Sequence, residues 1–156
     1  MDSWFNFQDY LKISYQDLKQ ILTDKALSKF GDSLVNFTYS IAKSMVLRMP
    51  TGEKVPDKTL CSALRATTLR KQVPSHAKMG TLGDVVEAFI AFMWITERLS
   101  LQQIVEILVD NLRHRDLSDR KKESRAARDA YLSLLNISLK ILKELPIQMT
   151  KDITEK

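Results

Sequence analysis

The sequence predicts an all-α protein, and three observations support that prediction. The 156 residues include only four glycines and four prolines, too few for the turns that an all-β sandwich or barrel requires. Apolar residues recur at helical spacing along most of the chain, and no long segment alternates between apolar and polar residues. Several segments also begin with residues that cap helices. We expect one helical domain over residues 1–145 and a polar C-terminal tail over residues 146–156.

Two helices are expected before the first break in the pattern. Ser14, with Asp17 three residues later, predicts a capping box that opens a short helix ending near Leu22. Asp24 can cap a longer helix over residues 25–48, which a Met-Pro-Thr-Gly sequence then interrupts.

Two more helices are expected in the middle of the chain. The third begins at Val55-Pro56-Asp57 and ends before Pro74. Thr81 then opens a strongly apolar helix that continues through Glu97.

The last two helices have clear starts. Ser100 and Gln103 form a second capping-box pattern, and the apolar stripe that follows continues to Leu112. The segment from Ser118 to Leu145 has the pattern of one long helix ending before Pro146.

Composition narrows the class of protein. A hydrophobic content of 44% and a charged content of 28% are values of a globular chain. The single cysteine, Cys61, excludes a disulfide framework and a cysteine-based zinc site, and we expect it to be packed and inert. The first residues lack a basic segment, and the apolar run over residues 88–95 is too short to span a bilayer. We therefore expect a cytoplasmic protein that is not in a membrane; its net charge of +5 permits an anionic partner.

Two acidic side chains interrupt the most apolar helix. Asp84 and Glu87 are three residues apart, so their side chains share one helix face. Two ionised acids in an apolar setting repel each other unless a proton or cation intervenes, and Mg²⁺ prefers such oxygen ligands. For Asp84 there is also a structural alternative, because it could complete a capping box with Thr81.

A third acid has a similar setting upstream. Asp32 directly follows Gly31 inside an apolar helix. Glycine costs about 1 kcal/mol in a helix interior, so its presence predicts a close approach between helices. The alternative is that Asp32 is a solvated position on a half-buried helix.

These acidic segments resemble a known family. Phe30-Gly-Asp-Ser-Leu and Gly83-Asp-Val-Val-Glu-Ala-Phe-Ile90 are similar, in order and spacing, to the two acidic motifs of ribonuclease III nuclease domains. Leu64-Arg-Ala-Thr67 is similar to the helix between those motifs. The resemblance covers residues 22–112. It implies a compact, all-α member of that family without a double-stranded RNA-binding domain, carrying an extra long C-terminal helix.

The resemblance also implies an activity. Asp32, Asp84 and Glu87 match metal-site carboxylates of the family, which implies Mg²⁺, with Mn²⁺ possible, and hydrolysis of phosphodiester bonds in double-stranded or structured RNA. It further implies a homodimer, with a ribonucleoprotein as a conceivable partner. Ser28 and Lys25 stand where the family carries acids, so Asp24 or Asn36 could supply a replacement oxygen.

Two other interpretations stay open at this point. The first is a non-catalytic RNA-binding or ribosome-associated relative with a degenerate metal site, which the serine at position 28 favours. The second is a helical interaction domain in which the acidic motifs are accidental. Trp4 and Phe5 would cover the core or serve a dimer.

Two basic stretches are candidates for RNA contact. No acid occurs between residues 58 and 83, a stretch that includes Lys58, Arg65, Arg70, Lys71 and Lys78. Residues 113–128 contain seven basic residues and three acids, a mixture typical of a solvated face. We expect His76 to lie in a loop and His114 at the surface.

Overall fold

The computed structural model describes Leu11 and residues 13–147, and the regular elements in this part of the chain are helices. In chain order they are α1 (Leu18–Thr23), α2 (Lys25–Leu47), α3 (Asp57–Arg65), a 3-10 turn (Thr68–Gln72), α4 (Met79–Ile95), α5 (Leu101–Leu112) and α6 (Arg120–Glu144). The predicted all-α fold class is confirmed. Trp4, Phe5 and residues 148–156 of the expected tail lie outside the described residues.

Helix α4 is the central helix of the fold. It is buried on nearly all sides and packs against α1, α2, α3 and α6, as its apolar sequence predicted. Residues such as Leu82, Phe89 and Met93 are fully enclosed. None of the helices within the described part of the chain is long and apolar enough to cross a membrane.

Three predicted helix starts were wrong by a few residues. Asp17, and not Ser14, caps α1, because its carboxylate accepts the backbone N–H of Gln20. The N-cap of α4 is Lys78, whose extended backbone places Thr81 inside the helix. Helix α6 starts two residues after Ser118.

The start of α6 has a local cause. The N–H of Ser118 donates to the Asp116 carboxylate at 2.9 Å, which forms a turn before the helix. Asp119 then accepts the N–H of Lys122 and caps α6. The predicted cap at Asp24 and the predicted capping box at Ser100 are confirmed.

The third predicted helix is divided in two. Helix α3 ends at Arg65, and a 3-10 turn continues the chain towards Pro74. The guanidinium of Arg70 donates to the carbonyl oxygens of Val73, Pro74 and Ser75 and so fixes the loop that leads into α4.

A buried ion pair joins α2 to α6. The Lys43 ammonium is 2.7 Å from a carboxylate oxygen of Glu53 and 2.7 Å from one of Glu123, and the Tyr39 hydroxyl donates to Glu123. Burial would lower the pKa of Lys43, but the two carboxylates outweigh it and raise the pKa. This network fixes α6 and the loop after α2 in place.

Candidate metal centre and RNA interface

Helices α2 and α4 touch through their backbones at Gly31. A β-carbon built on Gly31 would lie 2.1 Å from the carbonyl oxygen of Glu87 and 2.4 Å from its carbonyl carbon. No larger residue fits between the two helices without moving them. The predicted close approach at Gly31 is confirmed, and it brings Asp32 of α2 beside Glu87 of α4.

Glu87 is the buried acid of the site. The residue is only 5% exposed. Burial raises its pKa to about 8, and repulsion by Asp32, a hydrogen bond with Asp32, and the charges of Asp84 and Asp57 add to the effect. At neutral pH this carboxyl group therefore holds a proton, although a nearby cation would favour its ionised form.

Asp84 lies at the edge of the same cluster and is bound by a lysine. Its Oδ2 is 2.6 Å from the Nζ of Lys25, the first residue of α2. Asp84 stands inside α4 rather than at its start, so the capping box with Thr81 was wrong. Lys25 thus places a positive charge at a position where the resemblance to ribonuclease III domains implied an acid.

A fourth acid, Asp57, was missed as a site residue. It is the first residue of α3, and its carboxylate lies against Gly83, where a β-carbon would be 3.0 Å from its Oδ1. Asp57 also contributes to the raised pKa of Glu87. The available signal was Gly83 itself, because a glycine inside a buried helix leaves room for another group.

Ser28 is buried within α2. Its hydroxyl donates to the backbone carbonyl of Lys25. Asp24, one of the two suggested replacements, caps α2 with Oδ1 and accepts the Tyr15 hydroxyl with Oδ2 at 2.7 Å. Burial would raise the pKa of Asp24, but these hydrogen bonds outweigh it and lower the pKa. Both of its oxygens are therefore engaged in holding the start of α2.

Asn36 is the other suggested replacement, and it does contact the cluster. Its Nδ2 donates to Oδ1 of Asp32 at 3.0 Å, while its Oδ1 accepts the backbone N–H of Val55 at 2.8 Å. Asn36 turns its nitrogen, not its oxygen, towards Asp32. The idea that it supplies an oxygen ligand was therefore wrong for this arrangement; it orients Asp32 instead.

The chemistry of these donors fits a divalent cation. Carboxylate oxygens are the ligands of Mg²⁺, and a cation would remove the repulsion between the acids of α2 and α4. Within residues 13–147, however, no three Asp, Glu, His or Cys side chains are already arranged to hold a metal ion. One oxygen of Asp84 is instead paired with the ammonium group of Lys25.

A cavity of about 410 Å³ opens beside Asp84. Basic side chains line part of it, namely Lys19, Lys25, His76 and Lys78. The predicted loop position of His76 is confirmed, and Arg70 holds that loop through backbone carbonyls. Of the predicted RNA-binding residues, Lys78 thus lines the same cavity as Asp84.

The family follows from comparison of the whole sequence. A family model described as Ribonuclease III matches residues 25–144. The chain belongs to the ribonuclease III family. The match runs from the first residue of α2 to the last residue of α6, so it includes the long C-terminal helix that the motif resemblance had not reached. No curated protein matches the chain.

Proposed function

We propose that this ribonuclease III family protein is a metal-dependent endoribonuclease that hydrolyses phosphodiester bonds in double-stranded or structured RNA, in RNA processing. The observation that carries the proposal is the contact between Gly31 and the backbone of Glu87, which brings a buried acid against Asp32. Two acids in contact, one of them buried, are unfavourable for folding unless a proton or a cation neutralises them. Membership of the family supports the RNA substrate.

The residues proposed to hold Mg²⁺ or Mn²⁺ are Asp32, Asp84 and Glu87, and Asp57 lies near enough to contribute charge. A bound ion would supply Lewis-acid activation of water and neutralise charge on the phosphate. Asp32 is oriented by the Asn36 amide, and Glu87 is held in a water-poor setting. Oδ2 of Asp84 is paired with Lys25, so this carboxylate would have to bind an ion through its other oxygen or exchange the lysine for the ion.

The basic residues of the neighbouring loop have a separate role in this proposal. Duplex RNA is recognised mainly through phosphates, 2′-hydroxyls and shape. Lys78 and His76 line the cavity next to Asp84, which supports the proposal that they contact a backbone phosphate. Lys71 and Arg65 are exposed nearby in sequence, whereas the guanidinium of Arg70 is engaged with the loop backbone.

The proposed homodimer has a suitable surface on α2. Phe37 and Met45 are 58% and 56% exposed, and Ile41 lies between them at helical spacing. Met49 extends the same apolar face beyond the helix and is 59% exposed. Large apolar side chains grouped in this way are typical of protein–protein contacts. We propose a second copy of this chain as the partner and the cytoplasm as the location; a ribonucleoprotein is the other candidate partner.

A specific observation favours a second function, a non-catalytic RNA-binding relative. Lys25 neutralises Asp84 at 2.6 Å, and Ser28 is buried without an acidic side chain to offer. A site of this kind could bind RNA and hold its metal too weakly to cut.

One assay separates the two functions. Purified protein is incubated with a long RNA duplex in Mg²⁺ or Mn²⁺, together with Asp84→Asn, Glu87→Gln and, as a control, Glu106→Gln on the exposed side of α5. Metal-dependent cleavage that both site variants lose and the control keeps supports the endoribonuclease. Binding without cleavage by the unmodified protein supports the non-catalytic relative and overturns the enzyme.

A further inference from the structure

A second cavity, of whose eight lining residues four are basic, lies between α3 and the start of α6. Its volume is about 460 Å³. Four basic residues, three hydroxyl residues and one acid line it: Lys58, Arg115, Arg125, Arg128, Thr59, Ser62, Ser124 and Asp129. The cavity joins Lys58, from the first basic stretch of the sequence, to arginines of the second. The second stretch had been interpreted as a solvated face, and the fold instead brings part of it to a concave site.

The walls of this cavity are held in place by hydrogen bonds. Hydroxyl groups of Thr59 and Ser124 are 3.3 Å apart across the contact between α3 and α6. Asp129 accepts a bond from Nη1 of Arg115 and another from Nη1 of Arg128, each at 2.8 Å. Each guanidinium has five N–H donors, so most donors of both groups are not used by these two bonds.

The ligand chemistry follows from this lining. Hydroxyl and guanidinium groups donate hydrogen bonds, and the four cations outnumber the one carboxylate. Guanidinium groups match the oxygens of a phosphate, often through two parallel bonds. The cavity is therefore suited to a phosphate group rather than to a cation or an apolar ligand.

The position of the cavity relates it to the acidic cluster. Asp57 and Lys58 are consecutive residues in the first turn of α3. The carboxylate of Asp57 lies against Gly83 of the acidic cluster, whereas Lys58 lines the basic cavity. The two sites therefore meet at one helix end, close enough for a single strand of nucleic acid to contact both.

We propose that the cavity between α3 and α6 binds a backbone phosphate of the RNA whose cleavage site lies at the acidic cluster. This proposal rests on the proposed function, because it takes RNA as the substrate. The cavity would fix the register of the duplex, since a strand anchored there can present only nearby phosphodiesters to the acids.

The test is a binding measurement that does not depend on cleavage. Fluorescence anisotropy of a labelled RNA duplex in EDTA gives the dissociation constant and its salt dependence. The test variant is Lys58→Gln with Arg125→Gln, two exposed residues that do not take part in the bonds to Asp129. The matched control is Lys140→Gln with Lys143→Gln, which removes the same total charge from exposed positions of α6 that lie about 20 Å or more along the helix from Arg125.

We expect the test variant to bind the duplex about tenfold more weakly and to lower the salt slope by about two, and the control to change affinity less than about twofold. Equal affinity and slope in the test variant and the control would overturn the proposal while leaving the proposed function intact. If the unmodified protein neither binds the duplex in EDTA nor cleaves it in Mg²⁺ or Mn²⁺, the proposed function itself fails.

A parallel titration with inorganic phosphate and a mononucleotide identifies the source of the phosphate. Weak binding of both, together with the loss of RNA affinity, supports an RNA backbone site. Tight mononucleotide binding that the Lys58 and Arg125 substitutions abolish, with RNA affinity unchanged, would show a free-nucleotide site and refute the RNA assignment.

Discussion

Replacing Glu87 with glutamine is expected to stabilise the metal-free protein at neutral and alkaline pH while abolishing RNA cleavage. Glutamine has nearly the same shape, and its amide can donate a hydrogen bond to Asp32 without carrying a charge. The substitution therefore removes the cost of ionising a buried group and leaves the packing of α4 against α2 in place.

The sign and size of the effect follow from the pKa of Glu87. Its pKa rises from 4.5 to about 8 on folding, so the folded protein binds this proton more tightly than the unfolded chain. Its favourable contribution is complete below pH 4.5 and is lost as the pH rises to about 8. The maximum loss is about 5 kcal/mol, at about 1.4 kcal/mol per pH unit, and about 3 kcal/mol of it falls between pH 5 and pH 8.

Urea unfolding of the two proteins in EDTA, at several pH values from about 5 to 8, measures this effect. We expect the free energy of unfolding of Glu87→Gln to rise relative to that of the unmodified protein as the pH rises. For Glu106→Gln, an exposed control on α5, the difference from the unmodified protein should stay the same at every pH. A difference between Glu87→Gln and the unmodified protein that is constant across this pH range would refute the reasoning.

Three further predictions use other contacts of the fold. Gly31→Ala should lower stability by at least about 2 kcal/mol in thermal or urea unfolding, because its β-carbon meets backbone, whereas Gly52→Ala, with nothing within 4 Å, should change little. Lys25→Met should tighten Mn²⁺ binding about two- to fivefold, measured by calorimetry, because it frees the Asp84 carboxylate from its ion pair. An equal gain in affinity in Lys29→Met would contradict this. Glu123→Ala should cost about 2 kcal/mol in urea unfolding, because it removes one of the two carboxylate partners of buried Lys43 and the acceptor of the Tyr39 hydroxyl; an unchanged midpoint would contradict that.

The sequence was sufficient for the parts of the fold that local patterns determine. The apolar content of α4 predicted a buried helix, and Asp24 and Ser100 predicted two helix starts, because caps act on residues only three positions away. Gly31 also predicted a contact between helices, since a glycine in a helix interior is costly without one. The starts of α4 and α6 were less predictable, because competing turn and cap residues such as Asp116 lie next to each other.

What the sequence could not predict depends on residues that are distant along the chain. Lys25 and Asp84 are 59 positions apart, and only the packing of α2 on α4 brings them together. Asp57 was missed for the same reason, because its relation to Gly83 is a tertiary contact. The cavity that joins Lys58 to Arg125 likewise requires α3 to lie against α6.

The acidic cluster can be understood as a conflict between folding and ligand binding. Gly31 forces α2 and α4 so close that Asp32 and Glu87 cannot both ionise at low cost, and α4 would be more stable with an uncharged residue at position 87. Lys25 relieves only the outer acid, Asp84, and it is itself largely exposed, so its effect is weak. A divalent cation would act directly on buried Glu87 and half-buried Asp32, and any such ion that binds the folded chain alone also stabilises it. Replacing Glu87 by an uncharged residue should therefore stabilise the metal-free protein more than replacing any other acid of the cluster. In the proposed function the same substitution should weaken metal binding the most, so stability without metal rises while metal affinity falls.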